Sequence, residues 1–381
     1  MKHVYFDHNA TTPVDERVME AMLPYLRGDY GNASSRHDLG TRARQAVNVA
    51  REQIAALVNV QPSQVIFVSG GTEANNLFIK GAAGYLKPSQ IAVSAIEHPC
   101  VAKPAQELAR QGWTLRKLAV TRDGRVDIAD VDQALKEPTG IVSVMLANNE
   151  TGVVQDVAAV SQRARGARAW MHTDAVQALG KMAIDFEALG VHAMTLSAHK
   201  IYGPKGAGAL VVDKRLQLRP LLHGGGHEQG LRSGTENVPA IVGFGAACEL
   251  AGERMNELAP RLEAMRARFE QGLDVLGAVI FGDRAPRIPN TTYFAFKGIL
   301  GETLVIELDK AGFALAPGAA CSSANPEPSA TLLAMGVAPE LAGGAVRFSL
   351  GAGNSMAQID ELLKSLESVV ARLKGMAAIA V

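Results

Sequence analysis

Short apolar runs alternate with stretches of helical periodicity through the first two thirds of the chain. The runs at 65–68, 91–94, 141–146, 169–171, 194–196 and 209–212 are rich in Val, Ile, Leu and Met. Such short continuous runs read as strands buried on both faces. Between them, 73–86, 101–110, 128–135 and 157–165 recur with the period of an amphipathic helix. This strand–helix rhythm predicts an α/β fold with a mainly parallel, doubly wound sheet. Nearer the start, Asp15 is placed to cap a helix running to about Leu26, and 41–58 reads as another.

After about Pro260 the pattern changes. A charged helix at 261–276 precedes strands at 279–281 and 291–296. A helix at 302–311, a Gly/Ala/Ser-rich stretch at 317–325, a strand at 346–350 and a final helix at 357–373 complete it. The expected organisation is a large domain over 15–259 and a smaller α+β domain built from 1–14 and 260–381. No internal repeat and no disordered linker interrupts it.

Composition narrows the class. The chain has 381 residues, 48 % of them hydrophobic, with 38 Lys plus Arg against 38 Asp plus Glu. That balance makes no electrostatic case for nucleic acid or an anionic membrane surface. The expectation is a protein without a signal peptide or membrane span. Cys100, Cys248 and Cys321 are too scattered for a disulfide framework or a CxxC motif, so a reducing cytoplasm is the expected compartment.

The candidate chemistry centres on Ser197-Ala-His-Lys-Ile-Tyr-Gly-Pro-Lys-Gly206. Lys200 follows a short apolar run and precedes a Tyr-Gly-Pro turn, which presents its amine at a strand end. Partial desolvation there lowers an ammonium pKa and frees an imine-forming nucleophile. Ser197 and His199, two apart, would share a face in extended backbone and could grip an anion. Ser69-Gly-Gly-Thr-Glu-Ala-Asn75 opens a helix after a strand, so Gly71 and Thr72 can offer N–H groups and a hydroxyl to an anion, or simply form a turn. Asp174 and Gln177 lie one helical turn apart after a strand. Asp174 is either a partner for a cation or an N-cap.

His98, between Glu97 and Pro99, can stack on an aromatic ring and shuttle protons, or serve as a turn residue. Asn149 lies in Asn148-Asn-Glu-Thr-Gly152, where it can bind a carboxylate or a phenolic oxygen, or simply form part of an Asn-rich turn. Arg347 sits among apolar strand neighbours and suits either a bidentate carboxylate grip or a structural ion pair. His223-Gly-Gly-Gly-His-Glu228 looks like a metal site, but its glycines argue against the helix that would align the histidines. No metal is expected. The donor-rich Arg232-Ser-Gly-Thr-Glu-Asn237 suits a phosphate or a solvated loop. Cys321, among small residues in Gly318-Ala-Ala-Cys-Ser-Ser-Ala-Asn325, looks like a nucleophilic thiol on a mobile loop. Cys100, next to His98, could be a rival thiol, but at a helix start just after Pro99 it reads as a packing residue, as Cys248 does.

Taken in order from Tyr5-Phe-Asp-His-Asn-Ala-Thr-Thr-Pro13 to Val346-Arg-Phe-Ser-Leu350, these motifs resemble the class V, fold-type I enzymes that use pyridoxal 5′-phosphate. The closer resemblance is to the cysteine desulfurases of the nitrogen-fixation and iron–sulfur-cluster-assembly type. That resemblance implies a seven-stranded type of large-domain sheet. Lys200 would hold the cofactor and later move the Cα proton, Asp174 would pair with its ring nitrogen, His98 would stack on the ring and Gln177 would bond its phenolic oxygen. Gly71, Thr72, Ser197 and His199 would hold the phosphate, with Thr235 of the partner subunit adding a contact, which implies a homodimer. Asn149 and Arg347 would fix the carboxylate of L-cysteine. Cys321 would take the sulfur as a persulfide and pass it to an acceptor protein such as an iron–sulfur scaffold.

The sequence also departs from that family. Its nucleophile segment is Ala316-Pro-Gly-Ala-Ala-Cys-Ser-Ser323, Ala330 stands where a histidine is common, and Ala33 replaces a usual proline. A selenocysteine lyase or another class V aminotransferase is the alternative activity, and a non-catalytic sulfur-assembly scaffold is a remoter one.

Overall fold

The structure is a computed structural model that describes residues 3–318 and 327–379, with side chains described to 375. A short strand β1 (Val4–Tyr5) leads into α1 (Glu16–Arg27) and α2 (Asp38–Leu57). The Asp15 carboxylate accepts the Arg17 N–H at 2.9 Å and so caps α1. The strand–helix rhythm follows as β2 (Val65–Val68), α3 (Gly71–Tyr85), β3 (Gln90–Ser94), α4 (Pro99–Ala109), β4 (Thr114–Leu118), α5 (Ile128–Ala134) and β5 (Thr139–Ser143). It continues as α6 (Val157–Gly166), β6 (Trp170–Asp174), α7 (Phe186–Leu189), β7 (Ala193–Ser197) and β8 (Gly208–Val212).

These strands form a seven-stranded sheet ordered β2-β8-β7-β6-β5-β3-β4. The pairs β3–β4, β3–β5, β5–β6 and β6–β7 are parallel; β8 runs antiparallel to both of its neighbours. Alternate residues on each strand enter opposite cores. Val65 and Phe67 of β2 and Ala209 and Val211 of β8 pack on one face with α2 residues such as Val47 and Ile54. Ile66, Val68, Leu210 and Val212 pack on the other with Leu77 and Phe78 of α3. Burial on both faces is why these strands are apolar without alternation.

A 38-residue helix, α8 (Val238–Val275), follows. The sequence pattern begins a helix at 261, but the structure carries one helix through Pro260. Its first half supplies Phe244, Ala247 and Cys248 to the core of the large sheet. Its second half supplies Leu262 and Phe269 to another core. That second core lies against an antiparallel sheet ordered β12-β13-β10-β9, made of β9 (Val279–Ile280), β10 (Thr291–Ala295), β12 (Ala316–Pro317) and β13 (Ala345–Ser349). Helix α9 (Gly301–Lys310) precedes β11 (Phe313–Ala314), which pairs in parallel with β1. Helices α10 (Ala330–Ala334), α11 (Pro339–Ala342) and α12 (Met356–Ile379) complete the chain. Phe348 of β13 stacks on Phe269 with ring centroids 4.0 Å apart and meets Phe6 at 4.8 Å, which draws the N-terminal segment into this core. Among the described residues no helix is long and apolar enough to cross a membrane.

Candidate active site

The parallel strands β3, β5, β6 and β7 end on one edge of the large sheet, where open α/β sheets place their ligands. Asp174 ends β6 and is buried. It accepts Asn75 Nδ2 at 2.7 Å and the Val176 N–H at 3.0 Å. Burial pushes its carboxyl above the usual range, opposed by those hydrogen bonds and by nearby cations.

Next to it, β7 ends at Ser197 and passes into a single 3₁₀ turn, Ala198–Lys200. Lys200 is half-buried there, and its Nζ donates to the carbonyls of Asn9 at 2.5 Å and Ala10 at 2.6 Å. Burial first, and then the charge of Arg347, lower this amine from 10.5 to about 8. The turn also removes His199 from the extended backbone that would put it on Ser197's face. His199 Nδ1 instead lies 3.2 Å from Thr11 Oγ1, and burial lowers the ring to about 4.

The Ser197 hydroxyl is buried and has no partner among the described residues. Gly71 opens α3 opposite it: a Cβ added there would stand 3.9 Å from Ser197 Cβ and 3.0 Å from Val176 Cγ2. The first N–H groups of α3 have no carbonyl of their own helix to bond. A donor-lined cradle left open by glycine, an unsatisfied buried hydroxyl, a desolvated amine and a buried carboxyl together fit a phosphorylated pyridine aldehyde: phosphate at the cradle, carbonyl carbon at the amine and ring nitrogen at the acid.

His98 caps α4, with its Nδ1 3.2 Å from the Cys100 N–H and 2.8 Å from Cys100 Sγ. Burial lowers its pKa; Asp174 opposes that shift. Gln177 donates through Nε2 to the Asn9 carbonyl at 3.0 Å and accepts Lys181 Nζ at 2.9 Å. Arg347, in β13, splits its guanidinium between the Asp7 carboxylate at 2.7 Å and the Asn149 carbonyl at 3.1 Å, leaving Nε without a partner among the described residues. The ion pair is therefore present, and the remaining N–H groups, Nε–H among them, are left for a ligand. The side chain of Asn149 takes no part in that contact. Thr72 shares an open groove with His98 and Cys100. Thr235 is exposed on the loop that Arg232 ties to Glu73 at 3.0 Å, and its described contacts do not reach the other candidate residues. Cys321 lies outside the described residues. In the glycine-rich loop, Glu228 is bound by Arg51 at 2.7 Å and by the Phe67 N–H at 2.7 Å, and His227 Nε2 faces Ser34 Oγ at 2.7 Å.

Three further residues organise this site. Asn9 is buried and joins both sheets: its side chain donates to Thr291 Oγ1 at 2.8 Å and accepts from Asn290 at 3.1 Å, while its carbonyl takes Lys200 and Gln177. Lys181, four residues beyond Gln177, bonds both Gln177 and Asn9 and is pushed well below its usual range by burial. Asn75 links Asp174 to Cys100 Sγ, which it approaches to 3.0 Å. The polar run Asp7-His-Asn-Ala-Thr-Thr12, placed directly after a strand, signals the first of them, and the four-residue spacing from Gln177 signals the second.

Comparison with known proteins agrees with this geometry. Residues 4–362 match the family described as aminotransferase class-V. Cysteine desulfurase IscS 1 of Archaeoglobus fulgidus is 42 % identical, with 98 % of each chain covered. Cysteine desulfurase IscS of Colwellia psychrerythraea is 42 % identical over 98 % of this chain and 94 % of that protein. Among solved structures, a NifS-like protein superposes with a TM-score of 0.92 at 37 % identity, covering 97 % of this chain and 99 % of the other. SspA in complex with cysteine superposes at 0.82 with 31 % identity, over 91 % of this chain and 98 % of SspA. The chain belongs to the class-V aminotransferase family and, within it, to the cysteine desulfurases. Enzymes of this kind depend on pyridoxal 5′-phosphate.

Proposed function

We propose that this enzyme takes the sulfur of L-cysteine onto Cys321 as a persulfide, releases L-alanine, and hands the sulfur to an acceptor for iron–sulfur cluster assembly or another thio-cofactor. The observation that carries this reading is the amine of Lys200 held beside the buried Asp174 carboxyl and the Ser197 hydroxyl, which no described residue bonds. The desulfurases it resembles, one of them solved with cysteine, support the substrate.

Pyridoxal 5′-phosphate, when bound, supplies a carbonyl for amines and an electron sink for charge at the substrate Cα. Lys200 would hold it, Asp174 would face its ring nitrogen, and Gln177 its phenolic oxygen. Gly71, Thr72, Ser197 and His199 would hold its phosphate, with Thr235 contributed across a homodimer. His98 would stack on its ring.

This chain's own residues then divide the work. With its amine near 8, Lys200 is partly unprotonated at neutral pH, so it can release substrate Cα of its proton and return one. Arg347, through the N–H groups not engaged by Asp7 and Asn149, and Asn149 orient the substrate carboxylate. The Cys321 thiolate attacks the substrate sulfur. The S–S bond forms, the Cβ–S bond breaks, its electron pair stays with the carbon side, and a proton completes alanine. The thiol of the enzyme and the substrate together become persulfide and alanine, with no outside oxidant.

The same reading divides the chain into a large unit over 15–259 and a small one from 1–14 and 260–381, and places it in the cytoplasm. Borohydride reduction followed by peptide mapping tests the cofactor assignment. A pyridoxyl group on the peptide holding Lys200 is expected, and none in Lys200→Ala; a label on Lys181 or elsewhere contradicts it.

A further inference from the structure

Cys100 stands at the start of α4, half-buried, with Sγ at the centre of a polar chain. Asn75 Nδ2 lies 2.7 Å from Asp174 Oδ2 and 3.0 Å from Cys100 Sγ. Cys100 Sγ lies 2.8 Å from His98 Nδ1, and the Cys100 backbone N–H lies 3.2 Å from the same nitrogen. The backbone N–H can only donate, so Nδ1 is the unprotonated ring nitrogen. The thiol must then donate its proton to Nδ1 as well, and its sulfur is free to accept from Asn75. Nδ1 thus shares its lone pair between the backbone N–H and the thiol, and Asn75 gives one amide N–H to Asp174 and the other to the sulfur.

We infer that Cys100 is a positioning residue for His98: its S–H, held by Asn75 against Asp174, locks the imidazole with its proton on Nε2. The inference rests on the reading of His98 and Asp174 as cofactor-facing groups. It sets Cys100 apart from Cys321, because burial and the nearby Asp174 push the Cys100 thiol up to about 12 and keep it a donor rather than a nucleophile.

The lock has a consequence for acid–base behaviour. Among the described residues, the groups facing His98 are Asp174 at the end of β6, Lys200 in the turn after β7, Glu150 after β5 and the thiol on α4. Asp174 and Glu150 favour the imidazolium; Lys200 and burial oppose it. Two donors aimed at Nδ1 oppose it further, because the lone pair that would take the second proton is occupied.

The test is ring-¹⁵N NMR of histidine-labelled holoenzyme, with the His98 signals assigned by their loss in His98→Gln. The wild type should show unprotonated Nδ1 and protonated Nε2. Cys100→Ala should raise the His98 titration midpoint by roughly half to one pH unit and let the second tautomer appear. Cys100→Ser should restore most of the wild-type pattern. Should the alanine variant fail to fold, Cys100→Val fills the space without a donor and must give the same shift. An unchanged tautomer and midpoint in the donor-less variant overturns the inference. The pH profile of alanine formation separates the two readings. If the limb that moves in Cys100→Ala is absent from His98→Gln, both stand. If His98→Gln keeps that limb while the NMR shift is present, His98 is positioned by Cys100 but does not serve the reaction.

Discussion

Removing the amine of Lys200 while keeping its apolar stem should stabilise the cofactor-free protein at neutral pH. Lys200 falls from its usual 10.5 to about 8, chiefly through burial. The folded chain therefore binds that proton more weakly than the unfolded chain, by roughly 2.5 pH units, or about 3 kcal/mol at 1.36 kcal/mol per unit. The sign follows. Below about pH 8 the amine is charged in both states, and the folded state bears the whole penalty. Between 8 and 10.5 the folded amine is neutral while the unfolded one is still charged, and the penalty fades. Above 10.5 it is gone. Lys200→Met has no such titration. Its stability advantage over wild type should shrink by about 3 kcal/mol between pH 7 and pH 10.5, whatever the constant offset from the lost bonds to Asn9 and Ala10. Lys181, half-buried and depressed by desolvation and then by the Lys200 charge, relaxes in the same variant and acts in the same direction. Urea unfolding of both cofactor-free proteins across that range is the assay. A difference that stays constant with pH would show that the amine is not strained by its surroundings and would refute the reasoning.

Other expectations follow from the same contacts. Arg347→Ala should raise the KM for L-cysteine by roughly tenfold to a hundredfold, since it removes a charge-assisted bond to the carboxylate. Arg347→Lys should not restore it, because an ammonium cannot bond Asp7, Asn149 and substrate together as the planar fork can; steady-state kinetics checks both. Glu228→Gln should cost about 3–5 kcal/mol in urea unfolding, because it breaks a buried bidentate pair with Arg51 and leaves that guanidinium uncompensated; a loss under 1 kcal/mol would contradict it.

The buried strands were the legible part of the fold. β2, β3, β7 and β8 are apolar because both faces are covered, so continuous runs mark them within a residue or so. β4 escapes the same reading because it is the sheet's edge: Thr114-Leu-Arg-Lys-Leu118 exposes its charges, which protect an unpaired edge and erase the apolar signal. The 141–146 run extends past β5 as assigned, yet Val144 and Leu146 still donate to β6 at 3.1 and 2.9 Å. Pro260 hides the continuity of α8, since a proline normally marks a helix start or break.

At the site, residues presented by strand ends are visible from local pattern: Asp174, Ser197, Lys200 and His98 each follow an apolar run. What the sequence cannot show is which distant groups meet them. Asn9 reaches Lys200 across 191 residues, and Cys100 becomes a neighbour of Asp174 only through Asn75. Cys100 follows Pro99 at a helix start and so resembles a packing residue; its contact with His98 depends on the cap that the imidazole makes. Lys181 shares the four-residue spacing of a helical turn with Gln177, a signal that was available.

The central claim is that substrate sulfur moves to Cys321 as alanine leaves. A single turnover with L-cysteine and no acceptor tests it most directly, with alanine quantified and the cysteine peptides mapped by mass. One alanine per active site, with one added sulfur on the peptide holding Cys321, is the predicted result. Undiminished alanine release in Cys321→Ser, or the extra sulfur found on Cys100 or Cys248 instead, would contradict it.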